Sequence, residues 1–269
     1  MSDAKSEARS EVISKHRKYV GSGARYDLAA ANQFGLLTAL GLREEHRLLD
    51  IGCGSLRGGR LFIPYLGVGN YYGMEPNHWL IDDGIAQELG QDAIEIKQPT
   101  FSTDGNFSLT TFGVEFDYML AQSIFSHASQ AHIRRCLSEA RKCLKPDGIF
   151  AATFLEGDLP YEGEEWVYPG SSHYPLEFMM GLVQTCGLAS RPLPWTHHNR
   201  QTWLLITHPG HLDQVSDPAD PLKLRVLAAE AADARESLAE LAADPLVGGA
   251  IALQRRLKKL GFLKTKRRK

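Results

Sequence analysis

The chain has 269 residues, 43% of them hydrophobic, which is enough for one well-buried domain of about 200 residues plus an appendage. Its net charge of −2 hides an asymmetry: residues 255–269 hold nine of the 30 Lys and Arg side chains and no acid, so the rest carries 21 basic against 32 acidic side chains, a net of −11. A body that acidic argues against nucleic acid as a partner, and no apolar run reaches the roughly 18 residues of a membrane span. The polar N-terminus (Met1-Ser2-Asp3-Ala4-Lys5) has no secretory h-region, and cysteines 53, 136, 143 and 186 lack metal-ligand spacing. Cys136 and Cys143 are expected to share the buried face of one helix, and the whole reads as a cytoplasmic protein with reduced thiols and no metal.

In chain order, the charged residues 3–18 predict a mobile helix and Tyr19-Val20-Gly21-Ser22-Gly23 a flexible turn. Residues 26–40 predict a helix with Leu28, Ala31, Gly35 and Thr38 on one side and Phe34 and Leu37 beside them. Leu48, Leu49 and Ile51 then form a short apolar run that reads as a buried parallel strand. Gly52 and Gly54 follow, allowing a sharp turn and close approach of a ligand to the backbone, and a helix runs from there to about Leu66. Strand, glycine turn and helix start together make the ligand crevice of a doubly wound sheet.

A dinucleotide fingerprint would require glycine where Arg57 stands, so a pyrophosphate is disfavoured and a nicotinamide-dependent oxidoreductase becomes a remote alternative. Asp50 suits a cationic ligand instead. Glu75 ends a second apolar run at 70–74, where a carboxylate accepts both hydroxyls of a ribose. A nucleoside with a cationic amino-acid tail and no phosphate meets these conditions, and S-adenosylmethionine is such a molecule.

Further elements are expected as a helix through Trp79, Leu80, Ile85 and Leu89, a third strand at 93–97 and an irregular stretch at 98–113. A fourth strand at 116–122, a helix at 129–144 stopped by Pro146, and a fifth strand from Gly148 to Leu155 come next. Residues 156–175 are rich in Gly, Pro and aromatics; a helix at 175–186 and strands at 188–195 and 201–207 close the domain at about residue 212. From 213 on, Leu224, Leu227, Ala231, Ala234, Leu238 and Leu241 step like heptads, and a second helix (250–260) leads into the basic tail. This helical appendage is a candidate dimer element, and its tail a candidate for peripheral contact with an anionic membrane.

Four motifs in order make the sequence resemble the class I S-adenosylmethionine-dependent methyltransferases over roughly residues 19–208. They are Leu49-Asp50-Ile51-Gly52-Cys53-Gly54, Tyr72-Gly73-Met74-Glu75-Pro76-Asn77, Phe116-Asp117-Tyr118-Met119-Leu120-Ala121-Gln122 and Leu144-Lys145-Pro146-Asp147-Gly148-Ile149-Phe150. The resemblance implies a Rossmann-like α/β fold with a seven-stranded, mostly parallel sheet whose last strand is antiparallel. It places Asp50, Gly52, Cys53, Gly54, Glu75, Pro76 and Gln122 at the cofactor. It also brings the N-terminal helices over the cofactor, with Tyr19 and Arg25 lining that site, and makes Asp104 the match for the adenine ligand. Asp104 also reads as a plain turn residue before Gly105. Arg57 is a candidate for the cofactor carboxylate or for a surface ion pair.

Methyl transfer to a hydroxyl needs a base, and His127, just past the fourth strand, is the leading one; capping the next helix is its structural alternative. Tyr161, Trp166, Tyr168 and Tyr174 read as an aromatic lid for a sugar or ring, with His173 and His197 as further acceptor-side candidates and the adjacent His198 as a rival. The acidic run Glu156, Asp158, Glu162, Glu164 and Glu165 reads as a solvated loop. The expected activity is O-methylation of a small-molecule or glycan acceptor. The alternatives are an N- or carboxylate-methyltransferase and a catalytically silent cofactor-binding domain.

Overall fold

The computed structural model describes residues 14–218, so the helices expected at 224–241 and 250–260 and the basic tail lie outside the described residues. Strand β1 (Leu48–Ile51) sits between β2 (Tyr71–Met74) and β4 (Phe116–Ala121), parallel to both. β3 (Thr100–Ser102) extends the sheet beyond β2, and β5 (Leu144–Glu156) extends it parallel to β4. β8 (Thr202–Thr207) runs antiparallel to β5 and to the edge strand β7 (Ala189–Pro192). The seven strands run in the order β3-β2-β1-β4-β5-β8-β7, and β6 (His173–Tyr174) pairs with the end of β5. The fold is therefore α/β, Rossmann-like and mostly parallel, with an antiparallel last strand. The order reverses between β1 and β4, and a crevice opens there at the carboxyl ends of the strands.

Alternation along the strands divides the core. Leu49, Ile51, Met119, Ala121, Phe150 and Ala152 pack on helices α6 (Gln130–Cys143) and α7 (Leu176–Thr185). Leu48, Leu120, Ala151, Trp203 and Leu205 pack on α2 (Tyr26–Ala39) and α3 (Gly59–Tyr65). On α6 the apolar residues Ile133, Cys136, Leu137, Ala140 and Cys143 fall at helical spacing and are all buried. Ser129 caps this helix by accepting the His132 amide. All four cysteines are free, and among the described residues no helix is long and apolar enough to cross a membrane.

The structure corrects several expected elements. Residues 93–97 are not a strand but belong to helix α5 (Gln91–Lys97), with Asp92 in its first turn and Lys97 in its last, complementing the helix dipole. Ile94 and Ile96 alternate as a strand would, yet Ile96 is 65% exposed and has no sheet to face. Gln98, in the left-handed region, ends that helix, and β3 follows inside the stretch expected to be irregular. The inward side of α2 carries Tyr26, Ala29, Ala30, Gln33, Leu36 and Leu37, whereas Leu28 is exposed, because the helix packs by its opposite face. β5 begins at Leu144 instead of Gly148: Leu144 pairs with Phe116, and a register shift takes up the Lys-Pro-Asp-Gly segment before Ile149 pairs with Tyr118. The N-terminal helix within the described residues is only α1 (Lys15–Tyr19), and the loop 156–175 contains β6.

Candidate active site

After β1 the backbone turns through Gly52 and Gly54 at φ +72 and +54, a region that side chains strain. The turn is held by the neighbouring strand, since the Gly52 and Cys53 amides donate to the Met74 carbonyl at 2.7 and 3.0 Å. A Cβ on Gly52 would stand 2.1 Å from Ile124 Cδ1, and one on Gly54 would stand 2.8 Å from Val20 Cγ1. Asp50, Gly52, Cys53, Gly54, Arg57 and Gln122 line one cleft together with Val20, Gln33 and Gly58. Six of the expected cofactor residues thus meet in one place.

The cleft is polar and its charges are unusual. Asp50 is buried, with Oδ2 accepting the Tyr71 hydroxyl at 2.8 Å. Burial pushes its carboxyl up to about 6 against the pull of that hydrogen bond and of Arg57. Arg57 donates to the Val20 carbonyl at 2.7 Å and to Gln122 Oε1, while its Nε is buried without a partner. Burial lowers its pKa, but a guanidinium stays charged near neutrality. Gln33 also donates to Gln122 Oε1. The amide nitrogen of Gln122 donates to Ser123 Oγ and stands 3.0 Å from His197 Nε2. Glu75, buried at the end of β2, accepts the Asn77 backbone and side-chain N–H groups at 2.9 and 2.8 Å, both on Oε1. No described residue bonds its second oxygen.

The other expected residues separate into two groups. Tyr19 and Tyr168 come together beside Val20, which lines the cleft: their rings are 5.5 Å apart, and the Tyr168 hydroxyl donates to the Tyr19 carbonyl. His127 lies against this loop, its ring 5.1 Å from Tyr168 and 6.1 Å from Trp166. Its Nδ1 is 2.6 Å from the Gly170 carbonyl, which can only accept, so Nδ1 carries the proton and Nε2 keeps its lone pair. Burial lowers the pKa of His127, the bond to Gly170 opposing it, so the ring is neutral near pH 7.

The second group serves packing or turns. Asp104 accepts the Asn106 and Ser108 amides at 2.8 and 2.9 Å and the Ser108 hydroxyl, which is turn chemistry. Pro76 is exposed and packs near Gly105. Tyr161 packs on the hydrophobic core, and His173 is exposed on β6. His197 is buried behind Gln122, its Nδ1 accepting the Asn199 and Gln201 amides at 3.2 and 3.3 Å. Burial takes His197 down to about 3 and His198 to about 4, so both are neutral and very weak bases. Gln33, Val20, Ile124 and Ser123 escaped the sequence reading. The one available signal was the polar pair Asn32-Gln33 inside an otherwise apolar helix.

Residues 49–150 match a family model described as a methyltransferase domain. The fold is similar to that of the magnesium protoporphyrin IX methyltransferase ChlM from Synechocystis PCC 6803 with SAH bound, at a TM-score of 0.51 and 15% identity over 69% of this chain and 84% of that one. It is also similar to the glycopeptide N-methyltransferase MtfA complexed with SAH, at a TM-score of 0.52 and 13% identity over 68% and 90%. PKMT2 from Rickettsia typhi matches at a TM-score of 0.53 and 13% identity over 67% of this chain and 54% of that one. Residues 49–150 thus carry a methyltransferase domain, and the strand order with the glycine turn and its two acidic neighbours, Asp50 and Glu75, gives it the fold of the S-adenosylmethionine-dependent methyltransferases.

Proposed function

We propose that this methyltransferase acts on a hydroxyl of a small-molecule or sugar-like acceptor, with His127 as the general base. The observation that carries the reading is the His127 tautomer: Nδ1–H is tied to the Gly170 carbonyl, and Nε2 is left as a neutral acceptor beside Trp166 and Tyr168. A base near neutral pH is what an alcohol acceptor requires and what a carboxylate acceptor does not.

The residues present fit S-adenosylmethionine. Gly52 and Gly54 turn at positive φ and let the backbone reach the cleft surface without a side chain of its own, and the buried Arg57 Nε has no partner among the described residues. Glu75 would hold the ribose through its unbonded oxygen, Arg57 the carboxylate, and Asp50 the cationic end. When bound, the cofactor supplies an electrophilic methyl group on a sulfonium. The chain's own part is to orient the acceptor against the faces of Trp166 and Tyr168, to exclude water with that loop, and to take the hydroxyl proton on His127 Nε2. Tyr161, His173 and His197, by their placement, are left out of the acceptor contacts.

The test is His127→Ala, assayed with a panel of hydroxyl, amine and carboxylate acceptors. Turnover of the hydroxyl acceptor is expected to fall by about 10²–10⁴-fold with cofactor affinity nearly unchanged. Normal turnover in that variant, or a preference of the parent for carboxylates, refutes the reading.

A further inference from the structure

The segment 15–20 is tied down at two ends. At one end stands Glu88, on the π-helical stretch Ile85–Leu89 that follows α4 (His78–Gly84), with its side chain only 3% exposed. His16 Nε2 lies 2.7 Å from Glu88 Oε1, and Arg17 grips the carboxylate with both arms, Nε to Oε1 at 2.5 Å and an amino nitrogen to Oε2 at 2.7 Å. Arg60 of α3 approaches the same carboxylate at 3.4 Å and also pairs with Asp27. The Arg17 guanidinium lies 4.6 Å from the centre of the Tyr26 ring. Burial pushes the Glu88 carboxyl up, but the bonds from Arg17 and His16 outweigh it and hold it below the usual range. None of these groups lines the cofactor cleft.

At the other end the same segment becomes part of the site. Tyr19 packs edge-on to Trp79 at 5.2 Å, and its carbonyl takes the Tyr168 hydroxyl from the acceptor-side loop. The Val20 carbonyl takes Arg57, and the Val20 side chain rests on Gly54 as a wall of the cleft. α1 has five residues, too short to hold itself as a helix without packing.

We propose that Glu88 is a positioning residue, the latch that holds segment 15–20 closed over the cofactor cleft and thereby sets cofactor affinity without touching the cofactor. The inference rests on the reading of the cleft as the cofactor site. Its physical basis is that affinity for a site complete only when the strap is closed falls in proportion to the closed fraction. Loss of the one carboxylate that gathers His16, Arg17 and Arg60 leaves the two guanidinium groups close together with only the exposed Asp27 to pair them, so the strap opens.

The experiment uses the full chain and two variants, Glu88→Gln and Arg17→Gln, with S-adenosylmethionine and S-adenosylhomocysteine as probes in calorimetry and stopped-flow dissociation. Glu75→Gln serves as the control for the cleft itself. The expected result is a Kd weakened by about 10-fold or more in Glu88→Gln and by less in Arg17→Gln, carried by faster dissociation. The double variant is expected to lose less than the product of the two effects, because both act through one contact. Hydrogen exchange at residues 15–20 should rise in both variants while amides of β1 and β4 stay protected, a split that general destabilisation would not give. Should Glu88→Gln fail to fold, Arg17→Gln decides, since Arg17 sits on the strap and not in the core. Parent-like affinity in both latch variants while Glu75→Gln binds weakly overturns the latch and spares the cleft. Tighter binding in the latch variants also overturns it, because the strap would then be a plug. Parent-like binding in all three variants overturns both readings.

Discussion

Gly52→Ala tests the geometry on which the cofactor site depends. Gly52 has φ +72, and an alanine there carries a left-handed cost of about 1–2 kcal/mol per residue. The new methyl would also stand 2.1 Å from Ile124 Cδ1 and 2.9 Å from Ile124 Cγ1, so Ile124 must leave its place as well. Ile124 is only half-buried, so its displacement costs less than the roughly 2–5 kcal/mol of a core Ile→Ala change. The variant is expected to lose about 2–3 kcal/mol in all, read by urea unfolding. Ile124→Ala removes the clashing atoms, so the double variant should lose less than the sum of the two single changes. Cofactor binding should remain lost in both, because the methyl still blocks the approach to the backbone. Additive stability losses would show that Ile124 is not the neighbour that gives way. Parent-like cofactor affinity in Gly52→Ala would show that the glycine turn does not present its backbone to the ligand.

Glu75→Gln keeps shape and removes charge, and is expected to weaken S-adenosylmethionine binding by about 1.5–3 kcal/mol, roughly 10- to 160-fold, by calorimetry. Asp50, raised by burial to about 6, is protonated below that pH and ionised above it, so affinity for a cationic cofactor should rise as pH increases through about 6. Because the folded chain then holds that proton more tightly than the unfolded one, stability of the free protein should fall over the same rise from about pH 4 to 6; Asp50→Asn should flatten both profiles.

What could be read from the sequence was contiguous. β1, the glycine turn and Glu75 sit within 28 residues and each has a local reason to be where it is, so strand, turn and the carboxylate at the end of the second strand were legible from local pattern. The sheet order and its antiparallel last strand came with the family resemblance. Local pattern failed where two periods overlap: Ile94 and Ile96 alternate like a strand, but nothing pairs with them, and the helix wins through its charged ends. The far wall of the cleft was illegible for another reason. Gln33, Gln122 and His197 meet from three distant parts of the chain, and a glutamine amide gives no pattern to announce its partner. Asp104 carried two readings, and its carboxylate closes its own turn, the local one of the two.

The loop 156–175 meets the N-terminal segment through a relay of rings. Trp79, Tyr19, Tyr168 and His127 follow one another at 5.1–5.5 Å, and Trp166 flanks His127 at 6.1 Å. Of the two loop aromatics Tyr168 reaches the strap by a hydrogen bond, whereas Trp166 touches only His127 and His132 among the ring contacts of the described residues. The two residues should therefore separate in their effects. Trp166→Ala is expected to raise the acceptor KM and leave cofactor Kd within about twofold, since it removes an acceptor-side face and no contact of the strap. Tyr168→Phe keeps the ring and removes one neutral hydrogen bond, about 0.5–1.5 kcal/mol, so cofactor Kd should weaken by roughly 2- to 12-fold along with any change in acceptor KM. Calorimetry with S-adenosylmethionine and steady-state kinetics on each variant measure both quantities. Unchanged cofactor affinity in Tyr168→Phe would mean that the loop closes on the acceptor independently of the strap, and a large cofactor defect in Trp166→Ala would mean that the loop as a whole, and not its tyrosine, carries the connection.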